Sequence, residues 1–297
     1  MPVSARPPRF RQAIALDPNY ALAYAGLAAS ETYLSDERGD LAMLRSAVAA
    51  ADKAVALAPQ LAEVYTTRGR IRFARLWDWP GAQADLDRAL SLAPPSAMTH
   101  RLYGYLLSTR GKLPEAVQEM RKAVETDPMS FDDWWRLGLY LQASGDLGAA
   151  RKSLQRAVEL APQSPFGNLI LAMHEVLDGH AEVALGLSRS ISEEWARLTG
   201  IALAEQALGH KQESQRALRE LIARHAQGQS YQIAQVYAAG GEIDQAFEWL
   251  EHAYSQHDGA LANVIFDPFM NDLRSDPRYK ALLVKMKLDS DPASSVH

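Results

Sequence analysis

Phe131–Pro162 reads FDDWWRLGLYLQASGDLGAARKSLQRAVELAP, and 34 residues earlier Ala97–Pro128 reads AMTHRLYGYLLSTRGKLPEAVQEMRKAVETDP. The two segments share a frame. Pro94, Pro128 and Pro162 fall on one beat, and so do Gly111, Gly145 and Gly179. Gly104 and Gly138 are followed by Ala172, and Ala116 and Ala150 by Ala184. His100, Trp134 and Asn168 form a further column, and Ala123 and Ala157 another. Several independent columns in one register at this period indicate a stack of helix-turn-helix units. Each unit of such a stack buries its apolar face only against its neighbours, so function belongs to the extended surface they build.

The punctuation places the helices. Ala97–Gly111 and Phe131–Gly145 read as first helices, and Leu113–Asp127 and Asp146–Ala161 as second helices. A glycine accepts the left-handed conformation that ends a helix. Pro114 starts the next helix, where its missing N–H costs nothing, and Pro128 or Pro162 stops it. Trp134, Leu137, Gly138 and Leu141 recur at helical spacing, matched by Ala150, Leu154 and Ala157 on the partner helix. Gly138 is expected to let the neighbouring helix approach closely.

Trp134-Leu137-Gly138-Leu141 with Ala150-Leu154-Ala157-Pro162, and His100-Tyr103-Gly104-Leu107 with Ala116-Met120-Ala123-Pro128, resemble the tetratricopeptide repeat. That resemblance implies an all-α, right-handed superhelical solenoid of antiparallel helix pairs. Weaker copies start at Tyr24-Leu27-Ala28, Tyr65 with Gly69, Asn168-Leu171-Ala172, Leu198-Ile201-Ala202 and Ile233-Ala234-Tyr237, giving seven in all. The first carries an insertion expected in the turn around Ser35–Asp40. The second has one extra residue near Trp77–Pro80, and Arg68 stands where Leu is usual, which puts its packing in question. The second helix of the fifth, about His180–Ser190, is short.

The expected organisation is a lone second helix in residues 1–18, seven pairs over 19–256, a capping segment over 257–288 and a disordered tail over 289–297. Phe10, Ala13, Ile14 and Pro18 define the lone helix; Asp267-Pro268-Phe269 and Leu273–Tyr279 mark the cap, leading into a helix near Arg278–Met286. Trp77–Ala82 and the closing stretch from Ala246 resemble, more narrowly, the repeat regions of bacterial multidomain regulators. There the repeats follow a winged-helix, nucleotide cyclase or kinase domain. Met1–Arg9 lacks the apolar stretch of a secretory signal, so a cytoplasmic chain is expected. The narrower resemblance implies, as the alternative to an interaction scaffold, the sensory half of such a regulator with its output domain outside this chain.

Composition narrows the function. A 47% hydrophobic share excludes bulk disorder. A formal charge of −5 gives no long-range attraction to nucleic acid or an anionic membrane. Without cysteine there is no disulfide, thiolate metal site or cysteine nucleophile. No apolar run reaches the ~18–20 residues of a membrane span. The eight histidines are scattered, and HEVLDGH (His174–His180) does not match the HExxH zinc pattern. No phosphate-binding glycine loop or GxSxG elbow occurs. Asp85 with Asp87, Asp132-Asp133 and Glu193-Glu194 read as helix-start or exposed acids. Neither an enzyme nor a cofactor or metal protein is expected.

Binding remains. In the resembled fold the first helices line the groove, and the motif register puts Arg70, Phe73, Arg101, Tyr105, Trp135, Leu139, Phe166 and Met173 on it. The lysine–asparagine pairs of chaperone-type repeats are not at the matching positions. Arg70 and Arg101 suit an acidic group, and Tyr105 and Trp135 suit anchoring. The alternative is that Trp135 and Phe166 only pack against the adjacent repeat. The expected partner is a protein or peptide, not nucleic acid or membrane. Phe10 and Ile14 leave an apolar edge that either a second copy covers, as a homodimer, or that frays with residues 1–18.

Overall fold

The computed structural model describes residues 6–38, 40–92 and 96–288, and among them every regular element is a helix. Pro94, the first five residues of the expected half-repeat, and the tail 289–297 lie outside the described residues. The chain divides into two compact units, one ending at Leu106 and one starting at Leu107.

The N-terminal unit holds α1 (Arg6–Leu16), α2 (Ala21–Arg38), α3 (Leu41–Leu57), α4 (Ala62–Ile71), α5 (Trp79–Leu92) and most of α6 (Ala97–Thr109). The C-terminal unit continues with α7 (Leu113–Thr126), α8 (Phe131–Ala143), α9 (Leu147–Leu160), α10 (Pro165–Leu177) and α11 (Ala181–Ser190). It ends with α12 (Glu194–Ala207), α13 (Lys211–His225), α14 (Ser230–Ala239), α15 (Ile243–Ser255), two 3-10 segments (Gly259–Ile265, Pro268–Leu273) and α16 (Pro277–Lys285). The architecture is an all-α solenoid of helix pairs.

The repeat beat has a physical cause at each column. At Gly145 φ is +84°, and the N–H of Asp146 donates to the Leu141 carbonyl at 2.9 Å, closing α8 through a left-handed turn. The Asp146 side chain then accepts from Ala149 N–H and caps α9. A Cβ on Gly138 would sit 2.6 Å from Leu154 and 3.2 Å from the Ala150 carbonyl, so only glycine permits this approach. In the His100/Trp134/Asn168 column, Trp134 and Asn168 prove to be latches. Trp134 Nε1 donates to Pro128 O at 2.9 Å, and Asn168 Nδ2 to Pro162 O at 3.0 Å. Tyr65 makes the same bond to Pro59, and in a repeat without the proline Arg197 makes it to Ile191.

Several expectations change. The N-terminal insertion does not form a long turn: it lengthens α2 and α3 to 18 and 17 residues, against 13 and 14 in α8 and α9. The extra residue near Trp77 is absorbed as a π-helical turn, Arg72–Leu76, closed by Trp77 at φ +48°. Phe10 and Ile14 do not present an apolar edge. They pack on the cluster of Leu27, Ala28, Ala50, Ala51 and Ile71, with the Phe10 ring filling the space over Gly26. The exposed apolar side chain of α1 is Leu16. Arg68 packs well despite its charge: it is bidentate to Asp85 at 2.6 and 2.9 Å, and Arg72 adds a third bond at 2.9 Å. Asp85 is therefore buried rather than on an open face, and Asp133 is buried as well.

Candidate functional site

The eight groove residues separate into two groups of four, one in each unit. In the N-terminal unit, Arg70 on α4 and Arg101 and Tyr105 on α6 are half-exposed, and Met98 beside them is exposed. Tyr105 packs on an aromatic cluster. Phe73 is buried, edge-on to Trp79 at 5.2 Å and 5.5 Å from the Tyr105 ring. Trp77 stacks on Trp79 at 6.4 Å. The π turn brings Phe73 and Trp77 into this cluster, so an irregularity of the first helix shapes the face. Thr66, one turn before Arg70 on α4, makes a buried hydroxyl contact with Thr99 at 3.1 Å.

The C-terminal unit differs. Trp135 is only 6% exposed, packed edge-on to Phe166 at 4.8 Å, with Nε1 donating to Asp132 at 3.2 Å. Met173 is buried, and Leu139 and Phe166 are half-buried. These residues are not an open groove because the chain itself covers them. After α15 the two 3-10 segments turn back across the first-helix face. Phe269 enters the core formed by Trp135, Leu169 and Val236. Phe266 packs edge-on to Tyr140 at 5.3 Å, and Ile265 reaches the turn at Gly111. Burial raises the Tyr140 hydroxyl to about 12.

Asp267 pins this segment. Its buried carboxylate accepts from Tyr231 Oη and Gln235 Nε2, both at 2.7 Å, and from Phe269 N–H at 3.0 Å. Burial pushes its pKa up, partly offset by those donors. Tyr231 is pushed well up by burial and the facing carboxylate. Between the segment and the helices remains a cavity of about 40 Å³ lined by Leu139, Phe166, Met173 and Gln232, where Gln232 Oε1 has no protein partner. That space admits a water.

Two further constellations escaped the sequence reading. Glu175 meets Arg151 and His180, and Glu205 meets Arg189 at 3.3 Å and His210 at 2.8 Å. The signal was present as a repeated pattern, EVLDGH at 175–180 and EQALGH at 205–210. The hydrogen bond to Glu205 raises the His210 pKa. His174 is buried against Gln142 at 3.0 Å and its pKa is lowered by desolvation. Among the described residues no group of three His, Asp or Glu is arranged to hold a metal ion, and no helix is long and apolar enough to cross a membrane.

Comparisons with known proteins agree with the helix-pair fold. The profile of the family described as "Tetratricopeptide repeat" matches residues 71–131 and 104–165. A probable biofilm formation methyltransferase, WspC of Pseudomonas putida, is 34% identical over 83 residues, covering 28% of this chain. The match spans 20% of that relative's length. Among solved structures, the type IV pilus biogenesis factor PilW is 24% identical with a TM-score of 0.56, over 67% of this chain and 93% of its own. Pseudomonas aeruginosa PilF is 16% identical with a TM-score of 0.55, over 69% and 91%. Human IFIT1, as a dimer with m7Gppp-AAAA, is 17% identical with a TM-score of 0.56, over 83% and 66%. The profile match places tetratricopeptide repeats within residues 71–165, and the solved structures share the all-α solenoid fold.

Proposed function

We propose that this chain is a non-catalytic, cytoplasmic interaction scaffold that takes a protein or peptide on the first-helix face of its N-terminal unit. The observation that carries the reading is the contrast between the two faces. In the C-terminal unit Trp135, Leu139, Phe166 and Met173 are used up by the chain's own returning segment. In the N-terminal unit Arg70, Arg101, Tyr105 and Met98 keep accessible surface, with Tyr105 against the Phe73–Trp79 pair. Two guanidinium groups beside aromatic and thioether surface suit an acidic segment carrying an apolar anchor. The fold alone does not choose the ligand class, since IFIT1 is recorded with a capped RNA. The net charge of −5 favours a protein partner.

Truncating a central aromatic or arginine contact costs about 2 kcal/mol, roughly thirtyfold in affinity. Affinity capture with the intact chain and with an Arg101→Ala/Tyr105→Ala variant therefore tests the reading. The variant keeps its helicity and loses a nuclease-resistant protein partner. Retention of every partner by the variant refutes the assignment of the face. Salt-sensitive RNA binding abolished by the same substitutions refutes the ligand class.

A second reading treats the chain as the sensory part of a larger regulator. It draws on the resemblance of one segment to part of a longer biofilm methyltransferase. Identification of an output domain acting with this chain in the cell is its test.

A further inference from the structure

Apart from the helix faces, the C-terminal unit contains a second and larger opening. It is a cleft of about 520 Å³ where the returning segment and α16 meet the turns that end α6 and α8. Its volume lies within the range of small-molecule sites, about 300–1,000 Å³. The lining has two chemical halves. Leu113, Ile265, Phe266 and Leu283 give an apolar wall, and Arg110 and Arg274 give positive charge. No carboxylate lines it, although the chain as a whole is acidic. The carboxylate that Arg274 does feel, Asp267, is directed to Tyr231 and Gln235 instead. Tyr279, also on the lining, donates its hydroxyl to Val264 O at 3.2 Å. At Gly111 and Gly145 the floor has no side chain, so a ligand can approach the backbone of both turns.

We propose that this cleft binds a small organic anion with an apolar body, its carboxylate or phosphate held by Arg110 and Arg274. The apolar body lies against Ile265, Phe266 and Leu283. Arginine is the suitable residue here, because its fork matches either oxyanion bidentately. The occupant touches the repeat turns and the returning segment together. Binding therefore tightens the docking of residues 259–273 as a linked equilibrium. This site is separate from the N-terminal face, and its fate is independent of the function proposed above.

The test uses the full chain and named probes. Benzoate, octanoate and phenyl phosphate are titrated by calorimetry, beside benzamide, octanol and inorganic phosphate. At least one amphipathic anion is expected to saturate a single site, about tenfold or more tighter than its neutral counterpart and than inorganic phosphate. Hydrogen exchange in residues 259–273 slows in its presence. Arg274 is exposed, so Arg274→Gln retains the fold while weakening the anion about tenfold; Arg110→Gln provides the second variant. Comparison of carboxylate with phosphate identifies the headgroup. The proposal is overturned if none of the three anions saturates, if inorganic phosphate equals them, or if both arginine variants bind like wild type.

Discussion

Asp267→Ala separates a docked C-terminal segment from a merely adjacent one. The carboxylate serves three donors, and two of them, Tyr231 Oη and Gln235 Nε2, belong to buried side chains. Removing their acceptor leaves each unsatisfied at about 1–3 kcal/mol, and loss of the cap on Phe269 N–H adds about 1 kcal/mol. The segment should lose about 3–7 kcal/mol of docking free energy in total. Asp267→Asn should cost far less, since the tyrosine hydroxyl can rotate to accept and the Gln235 amide can flip. Hydrogen exchange is the assay. With each 1.4 kcal/mol worth tenfold, protection in 259–273 falls about a hundredfold or more in the alanine variant. The helix faces bearing Leu139, Phe166 and Met173 lose protection with it. Acidity gives an orthogonal check. The folded pKa of Asp267 is raised above the ordinary 3.8, so its protonated form favours docking. That stability is fully present below the unfolded value and is lost as pH rises through the folded one. Asp258, raised by burial at the start of the same segment, acts in the same direction. Asp276, lowered to about 2 by Arg278, acts oppositely and only below its ordinary 3.8. Mild acidification should therefore slow exchange in the segment, and Asp267→Asn should blunt the effect. Unchanged protection in Asp267→Ala refutes the docking argument.

Gly138→Ala should destabilise the C-terminal unit by about 1–3 kcal/mol in chemical denaturation, because the added Cβ meets Leu154 and the Ala150 carbonyl. Gly186→Ala, at an exposed site inside α11 with open space around the new atom, should stabilise by about 0.5–1 kcal/mol. Arg68→Leu restores the residue usual in the repeat yet should cost about 1–3 kcal/mol, as Asp85 keeps only Arg72. Replacing Asp85 by leucine in the same chain should recover part of that loss. In an NMR titration His210 should show its midpoint above 6.5, and Glu205→Gln should return it toward that value. The His210–Glu205 contact therefore contributes below the unfolded histidine pKa and fades as pH rises through the folded one.

The helix pairs were legible because local terms determine them. Gly145, Asp146 and Pro162 each act on backbone within a few residues, and Trp134, Leu137 and Gly138 mark one face by spacing alone. The latch from Trp134 to Pro128 was visible as a column without its meaning. Arg68 was legible as a departure from the pattern, but its compensation was not. Asp85 lies 17 residues away on the partner helix, and a repeat template has no place for a charged pair. The π turn at Arg72–Leu76 showed itself only as one extra residue, because periodicity counts residues without saying which helix absorbs them. The candidate site was half legible. Register spaces these residues along the first helices, but nothing in Trp135 or Met173 tells that Phe269, about a hundred residues on, will join their core. Asp267-Pro268 read only as part of the capping segment, where it starts the second 3-10 segment. Its partners Tyr231 and Gln235 come from tertiary structure alone.

The returning segment also alters how the repeat array holds together. In a solenoid each repeat touches only its neighbours, so stability is a sum of local terms and the ends open first. Here one segment contacts α14 through Asp267, joins the core around Trp135 and Leu169 through Phe269, and meets α8 at Tyr140 through Phe266. Those helices are two, four and more elements apart in the chain. Opening the C-terminal end thus exposes the faces of several first helices together, Phe269 and Phe266 among them. Each fully buried side chain of that size contributes about 1.5–3 kcal/mol. α11 is short, and the segment supplies long-range contacts across this region. A face that serves in this way is unavailable to a partner unless the partner replaces those same contacts. That is the physical reason to look for docking on the Arg101–Tyr105 face.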